Sequence, residues 1–275
     1  MKLYFQIQNY NWQPERYKYS VEQMMLMLFP GERPEYPEGY APSDNEAVFA
    51  LDRGPDRTVV TARVIHPEGT AQGETQVESR LLDEAPERVY HTLQHALKMA
   101  FYRAGTAVLG QEPPWGALTG VRPVKLPTRC MLAGGTPEQA QAELEGEYRV
   151  SPLRAKLAVD CAQASLAVDR AVREDQVSLY IGIPFCPTRC AYCSFVSADV
   201  GRTLKLVEPY LAAVLEEVEY TGRVLKESGL SIHSLYVGGG TPTTLSAGQL
   251  ERLFSAARAH LPLETCVEYT VEAGR

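Results

Sequence analysis

The chain has 275 residues, 45% of them hydrophobic, with a net charge of −7 and a pI near 5.4. That is apolar enough to bury a core and excludes a disordered chain. The acidic balance argues against broad non-specific binding to nucleic acid, which needs clustered Lys and Arg. The longest apolar run, Met24 to Phe29, stops at Pro30, well short of the roughly 20 residues that span a bilayer. The first residues, MKLYFQIQNYNW, lack the charged and apolar blocks of a secretory signal. The expectation is a cytoplasmic protein with neither membrane nor nucleic-acid partners.

In chain order, Lys2 to Gln8 alternates like a strand, and Glu46 to Leu51 and Thr58 to Ile65 read as two more. The turn-forming run Asp52-Arg53-Gly54-Pro55-Asp56 joins those two. Gln72 to Glu78 adds a fourth, and the group reads as a small antiparallel sheet. Four early tyrosines (Tyr4, Tyr10, Tyr17 and Tyr19) carry no chemical assignment. Glu87 to Ala104 places Val89, Leu93, Leu97, Ala100 and Phe101 at helical spacing. Pro113 to Pro127, containing Trp115-Gly116 and Thr119-Gly120-Val121-Arg122-Pro123, reads as an irregular loop. Helices are predicted over Thr136 to Glu147, with a good start signal, and from Ser151-Pro152 to about Val172.

After residue 175 the pattern changes to strand, helix, strand, helix, strand: Ser178 to Ile183, Val207 to Lys226, Ser231 to Val237, Ser246 to Ala259 and Cys266 to Glu272. Strands alternating with amphipathic helices imply a parallel sheet, in which ligands bind beyond the carboxyl ends of the strands. The organisation expected is an α+β domain over 1–174 and an α/β core over 175–275. Because the chain stops at Glu272-Ala273-Gly274-Arg275 with no closing element, a C-terminally truncated fragment is expected.

Six cysteines are present, three of them crowded into Cys186-Pro187-Thr188-Arg189-Cys190-Ala191-Tyr192-Cys193. Cys130, Cys161 and Cys266 are scattered and read as small buried residues. The C-x3-C-x2-C spacing follows a strand, and Pro184 and Pro187 favour a loop able to wrap a metal group. Thiolates suit iron–sulfur clusters and zinc. A 4Fe–4S cluster held wholly by protein needs four cysteines, so three leave one iron open. The alternative is a structural zinc site completed by Cys266 or His233. Gly238-Gly239-Gly240-Thr241-Pro242-Thr243 follows the second strand of the core. Its glycines let a ligand approach the backbone, although a tight strand-to-helix turn would have the same composition.

The cysteine motif resembles the signature of the radical S-adenosylmethionine (SAM) superfamily, with Tyr192 as the aromatic residue before the last cysteine. The resemblance implies a partial (β/α) radical SAM barrel, a 4Fe–4S cluster on Cys186, Cys190 and Cys193, and SAM bound to the open iron. YIGIPFCPTRCAYCSF with YVGGGTPTTL further resembles the oxygen-independent coproporphyrinogen III oxidase family, and WGALTGVRPVKL resembles its subgroup called HemZ. That family converts propionates of coproporphyrinogen III to vinyl groups. It implies SAM contacts at Tyr180, Tyr192, Gly239, Gly240, Thr241 and Glu272, a porphyrinogen substrate, and a reduced flavodoxin- or ferredoxin-type electron donor. Arg189 and Arg275 are candidates for the substrate carboxylates. The chain departs from the oxidase pattern at Phe195, where characterised oxidases carry a cysteine and relatives thought to be haem chaperones do not. A haem carrier and a radical SAM enzyme for another substrate remain the alternatives.

Overall fold

Strand β1 (Lys2–Gln8) is followed by a helix that the sequence reading did not assign, α1 (Lys18–Leu28). Val21, Met24, Met25 and Leu28 form its buried stripe, the i, i+3, i+4, i+7 spacing of one helix face. The chain then enters β2 (Glu46–Arg53), β3 (Arg57–His66) and β4 (Gly69–Glu78), in the sheet order β1-β2-β3-β4. The expected antiparallel sheet is in fact mixed. β1 pairs with β2 in parallel, Lys2 opposite Glu46, while β2–β3 and β3–β4 are antiparallel. Parallel neighbours need a crossover, and α1 lies in that crossover. This computed structural model describes residues 1–8, 13–119, 122–195 and 197–274. Tyr10, Gly120, Val121 and Arg275, named above, lie outside the described residues.

The long helix α2 (Pro86–Leu109) packs on this sheet and stops at Gly110, whose left-handed φ of 65° suits a glycine. Phe49 meets Phe101 edge to face with centroids 5.2 Å apart, among Leu51, Val60, Val64, Leu93 and Leu97. The helix comes unusually close to β4: a Cβ on Gly73 would lie 2.0 Å from the Ala100 carbonyl oxygen. Tyr4 and Tyr17 belong to the interior, whereas Tyr19 is exposed. A second cluster gathers α3 (Lys125–Leu132), α4 (Pro137–Gly146) and α5 (Pro152–Ala171) around Leu126, Leu144, Val150 and Val159. Helix α3 begins inside the stretch read as loop. Helix α4 opens with the reciprocal Thr136–Gln139 capping box.

The chain divides into two compact units, Met1–Leu166 and Ala167–Arg275. The second runs β5 (Gln176–Ile183), the short strands β6 (Phe185–Cys186) and β7 (Ala198–Asp199), α6 (Val200–Thr203), α7 (Val207–Glu227), β8 (Ser231–Gly239), α8 (Ala247–His260) and β9 (Glu268–Val271). β5, β8 and β9 form one parallel sheet in chain order. Ile181, Ile183, Leu235 and Val237 face a core shared with Leu211, Val214 and Val218 of α7 and Leu253 and Ala257 of α8. The fold of this unit is therefore α/β with a parallel sheet. Among the described residues, no helix is long and apolar enough to cross a membrane. The scattered cysteines depart from the sequence reading: Cys161 is exposed, and Cys130 and Cys266 are only half-buried. Cys161 lies on the outer face of α5, away from its buried stripe Ala155, Ala158, Val159, Ala162 and Leu166.

Candidate functional site

Side chains alternate across a strand, so the residues between the core positions of β5, β8 and β9 share the opposite face of the sheet. That face is polar and arranged in rows. Ser234 Oγ bonds Ser178 Oγ at 2.8 Å. In the next row Tyr180 stacks on Tyr236, centroids 5.7 Å apart and planes 12° from parallel. Beyond it Gly182 pairs with Gly238, and Glu272 follows the end of β9. The Tyr236 hydroxyl donates to Glu272 Oε1 at 2.8 Å. This bond is the main cause that pushes the Tyr236 hydroxyl above its ordinary pKa, so at neutral pH Tyr236 is the donor and Glu272 the acceptor. Sequence reasoning named Tyr180 and Glu272 but missed Tyr236. Its one signal is its position two residues before the glycine run, in register with Tyr180.

The glycine turn and the cysteine loop meet at the carboxyl ends of β5 and β8. Gly240 N–H donates to Ile183 O at 2.7 Å and Thr241 N–H to Phe185 O at 2.8 Å. The buried Thr241 hydroxyl lies 3.6 Å from Cys186 Sγ. A Cβ on Gly240 would stand 2.6 Å from Phe185 O and 3.0 Å from Cys186 Sγ. Gly239 has φ 106°, the left-handed region that glycine tolerates. Gly240, Thr241, Pro242 and Glu272 line one open cleft of about 310 Å³.

Cys186 ends β6 and is buried. Cys190 and Cys193 are half-buried in a turn closed by Cys193 N–H to Cys190 O at 3.1 Å. Tyr192 and Phe195 are exposed, at 89% and 66%. Among the described residues, no three His, Cys, Asp or Glu side chains stand close enough together to hold a metal ion. The donor set nevertheless suits an iron–sulfur cluster: three thiols within eight residues, one at the end of β6 and two in the helix-free loop that follows and can close around one. The zinc alternative fits less well. His233 sits near the start of β8, and Val267, next to Cys266, donates to its carbonyl. Six residues of strand, about 20 Å, separate His233 from Gly239 and the cysteine loop.

No protein-family model matches the chain. It is 31% identical over 240 residues to the oxygen-independent coproporphyrinogen-III oxidase-like protein HemZ of Bacillus subtilis, covering 86% of this chain and 47% of that protein. The chain is thus similar over most of its length to HemZ-like coproporphyrinogen III oxidase homologues. An oxygen-independent coproporphyrinogen III oxidase of Pseudomonas aeruginosa is 43% identical over 90 residues, 32% of this chain and 18% of that one. The haem chaperone HemW of Lactococcus lactis is 42% identical over 96 residues, 35% of this chain and 23% of that one. The chain thus spans about half the length of HemZ, and the other two matches cover less. The radical SAM proteins of this family use a 4Fe–4S cluster and SAM.

Proposed function

We propose that the Ala167–Arg275 unit carries the first β/α units of a radical SAM barrel, and that the complete protein is a radical SAM oxidoreductase of the coproporphyrinogen dehydrogenase type. Its reaction would be the oxidative decarboxylation of porphyrinogen propionates to vinyl groups. The observation that carries this reading is the meeting of the three-cysteine loop with the glycine turn, through Gly240 to Ile183 and Thr241 to Phe185 and Cys186. Three parallel strands in chain order are compatible with an arc of barrel.

Cys186, Cys190 and Cys193 would hold the cluster. Tyr180, Tyr192, Gly239, Gly240, Thr241 and Glu272 would contact SAM. Together these groups, when bound, supply a 5′-deoxyadenosyl radical for hydrogen abstraction. The chain's own residues perform the positioning. Thr241 and the Gly240 amide hold the Cys186 segment against β8. Tyr236 fixes the Glu272 carboxylate beside the turn. Buried Ile183 and Phe185 close off the side toward α7. A reduced flavodoxin- or ferredoxin-type protein in the cytoplasm would donate the electron. The N-terminal part, up to about residue 174, would be a separate accessory domain.

A haem-carrier reading is favoured by one observation. Phe195 is an exposed apolar side chain at the place where, by resemblance, the oxidases carry a cysteine, and the chain is 42% identical to the haem chaperone HemW of Lactococcus lactis over 96 residues. Anaerobic reconstitution of the full-length protein with iron and sulfide, followed by SAM, separates the two. Formation of 5′-deoxyadenosine and vinyl product only with coproporphyrinogen III supports the oxidase. Tight haem retention without decarboxylation supports the carrier. A protein that takes up zinc but no inorganic sulfide overturns both.

A further inference from the structure

A cleft of about 820 Å³ is lined wholly by residues of the Met1–Leu166 unit. On its α2 side stand His91, His95 and Lys98, at i, i+4 and i+7, one face of the helix. Its apolar wall is Val77, Leu81, Leu118, Leu126 and Tyr148.

Arg129 is paired with Glu143 at 3.3 Å, and the Glu147 carboxylate lies 3.5 Å from His95. Lys98 donates to the carbonyl of Thr119 at 3.3 Å. Among the described residues it has no carboxylate partner, and burial alone pushes its pKa down. An ammonium has three donors, and a partly buried one without a counter-charge is costly. His95, edge to face with Tyr148 at 5.4 Å, is also pushed down by burial. Its neutral ring adds a hydrogen-bonding group beside the cation.

We propose that this cleft binds an aromatic organic anion, its acid group paired with Lys98 and its flat body against Tyr148, Leu118 and Leu126. Aromatic walls favour a flat apolar ligand. A half-buried ammonium with no carboxylate bonded to it favours an anion over a neutral molecule, and a few converging polar groups in a mostly apolar cleft are the usual make-up of a ligand site.

The test uses 8-anilinonaphthalene-1-sulfonate as an aromatic anion and inorganic phosphate as a bare one, on the full chain. Expected are saturable one-to-one dye fluorescence and only weak competition by phosphate. Lys98→Met should weaken the dye about tenfold or more, the scale of a lost charge-assisted hydrogen bond, and Lys98→Arg should restore much of it. Near-ultraviolet circular dichroism checks that the variants keep their packing. If Lys98→Met does not fold, the wild-type His95 imidazole resonances decide, because dye binding must shift them. Equal dye affinity in a folded Lys98→Met, binding without one-to-one saturation, or unmoved His95 resonances would overturn the assignment.

Discussion

Replacing Gly240 by alanine tests the junction between the cysteine loop and the glycine turn most directly. The added Cβ would lie 2.6 Å from Phe185 O, 2.9 Å from Ile183 O and 3.0 Å from Cys186 Sγ. Two of those three atoms are backbone, so no side-chain rotation relieves them. Gly240 has no positive φ, so the penalty comes from contact and not from torsion. The turn must move away from β5, lengthening the 2.7 Å bond from Gly240 N–H to Ile183 O. Overpacking of this kind costs about 1–3 kcal/mol. In a unit of around a hundred residues that lowers Tm by roughly 5–20 °C. The same displacement shifts Phe185 and Cys186, so iron and sulfide bound per chain after anaerobic reconstitution should fall further than stability alone explains. Gly248→Ala in the first turn of α8 is the control, because its Cβ meets nothing within 4 Å. It should leave both readouts unchanged or raise Tm slightly. A Gly240→Ala protein with wild-type melting and full iron and sulfide would refute the reasoning.

Three further outcomes follow from other contacts. Tyr236→Phe removes the hydroxyl that holds Glu272 and should raise the dissociation constant for SAM severalfold in equilibrium dialysis with little change in Tm; unchanged SAM binding would remove Tyr236 from the site. Gly73→Ala in β4 would put a Cβ 2.0 Å from Ala100 O and 2.6 Å from Ala104 N, prising α2 off the sheet at a cost of about 3 kcal/mol or more, and urea unfolding should show it as a lower midpoint for the N-terminal unit. Burial lowers the His95 pKa below 6.5, outweighing the raising effect of Glu147. The unfolded chain therefore binds more protons than the folded one between the two values. The stability contribution is complete above pH 6.5 and declines as pH falls from there toward the folded value. His95→Gln should flatten that part of the profile of Tm against pH, and an unaltered slope would show that another group causes it.

The sequence by itself determined the three main strands and two long helices of the second unit, though not the short β6, β7 and α6. Val207 to Lys226 is read as a helix and observed as Val207–Glu227; the Ser246 capping box is present with both its bonds. These signals are local: periodicity, caps and turn formers act within a few residues. The strand–helix alternation also fixed parallel pairing there, because a helix between two strands leaves room for the crossover. In the first unit the same logic failed at one element. With α1 unassigned, β1 and β2 had no visible crossover and were read as antiparallel.

Tertiary structure alone decided which residues of distant segments share a face. Tyr236 carries no signal until β5–β8 register sets it on Tyr180 and the β9 end brings Glu272 to its hydroxyl. Register likewise puts His233 and Cys266 at the wrong end of the sheet for the cysteine loop. Lys98 reads as an ordinary helix lysine until α1, α3 and the 147–148 segment wall it in. Pairing across a sheet and the charge balance of a cleft depend on contacts far apart in the chain, which no window of neighbouring residues contains.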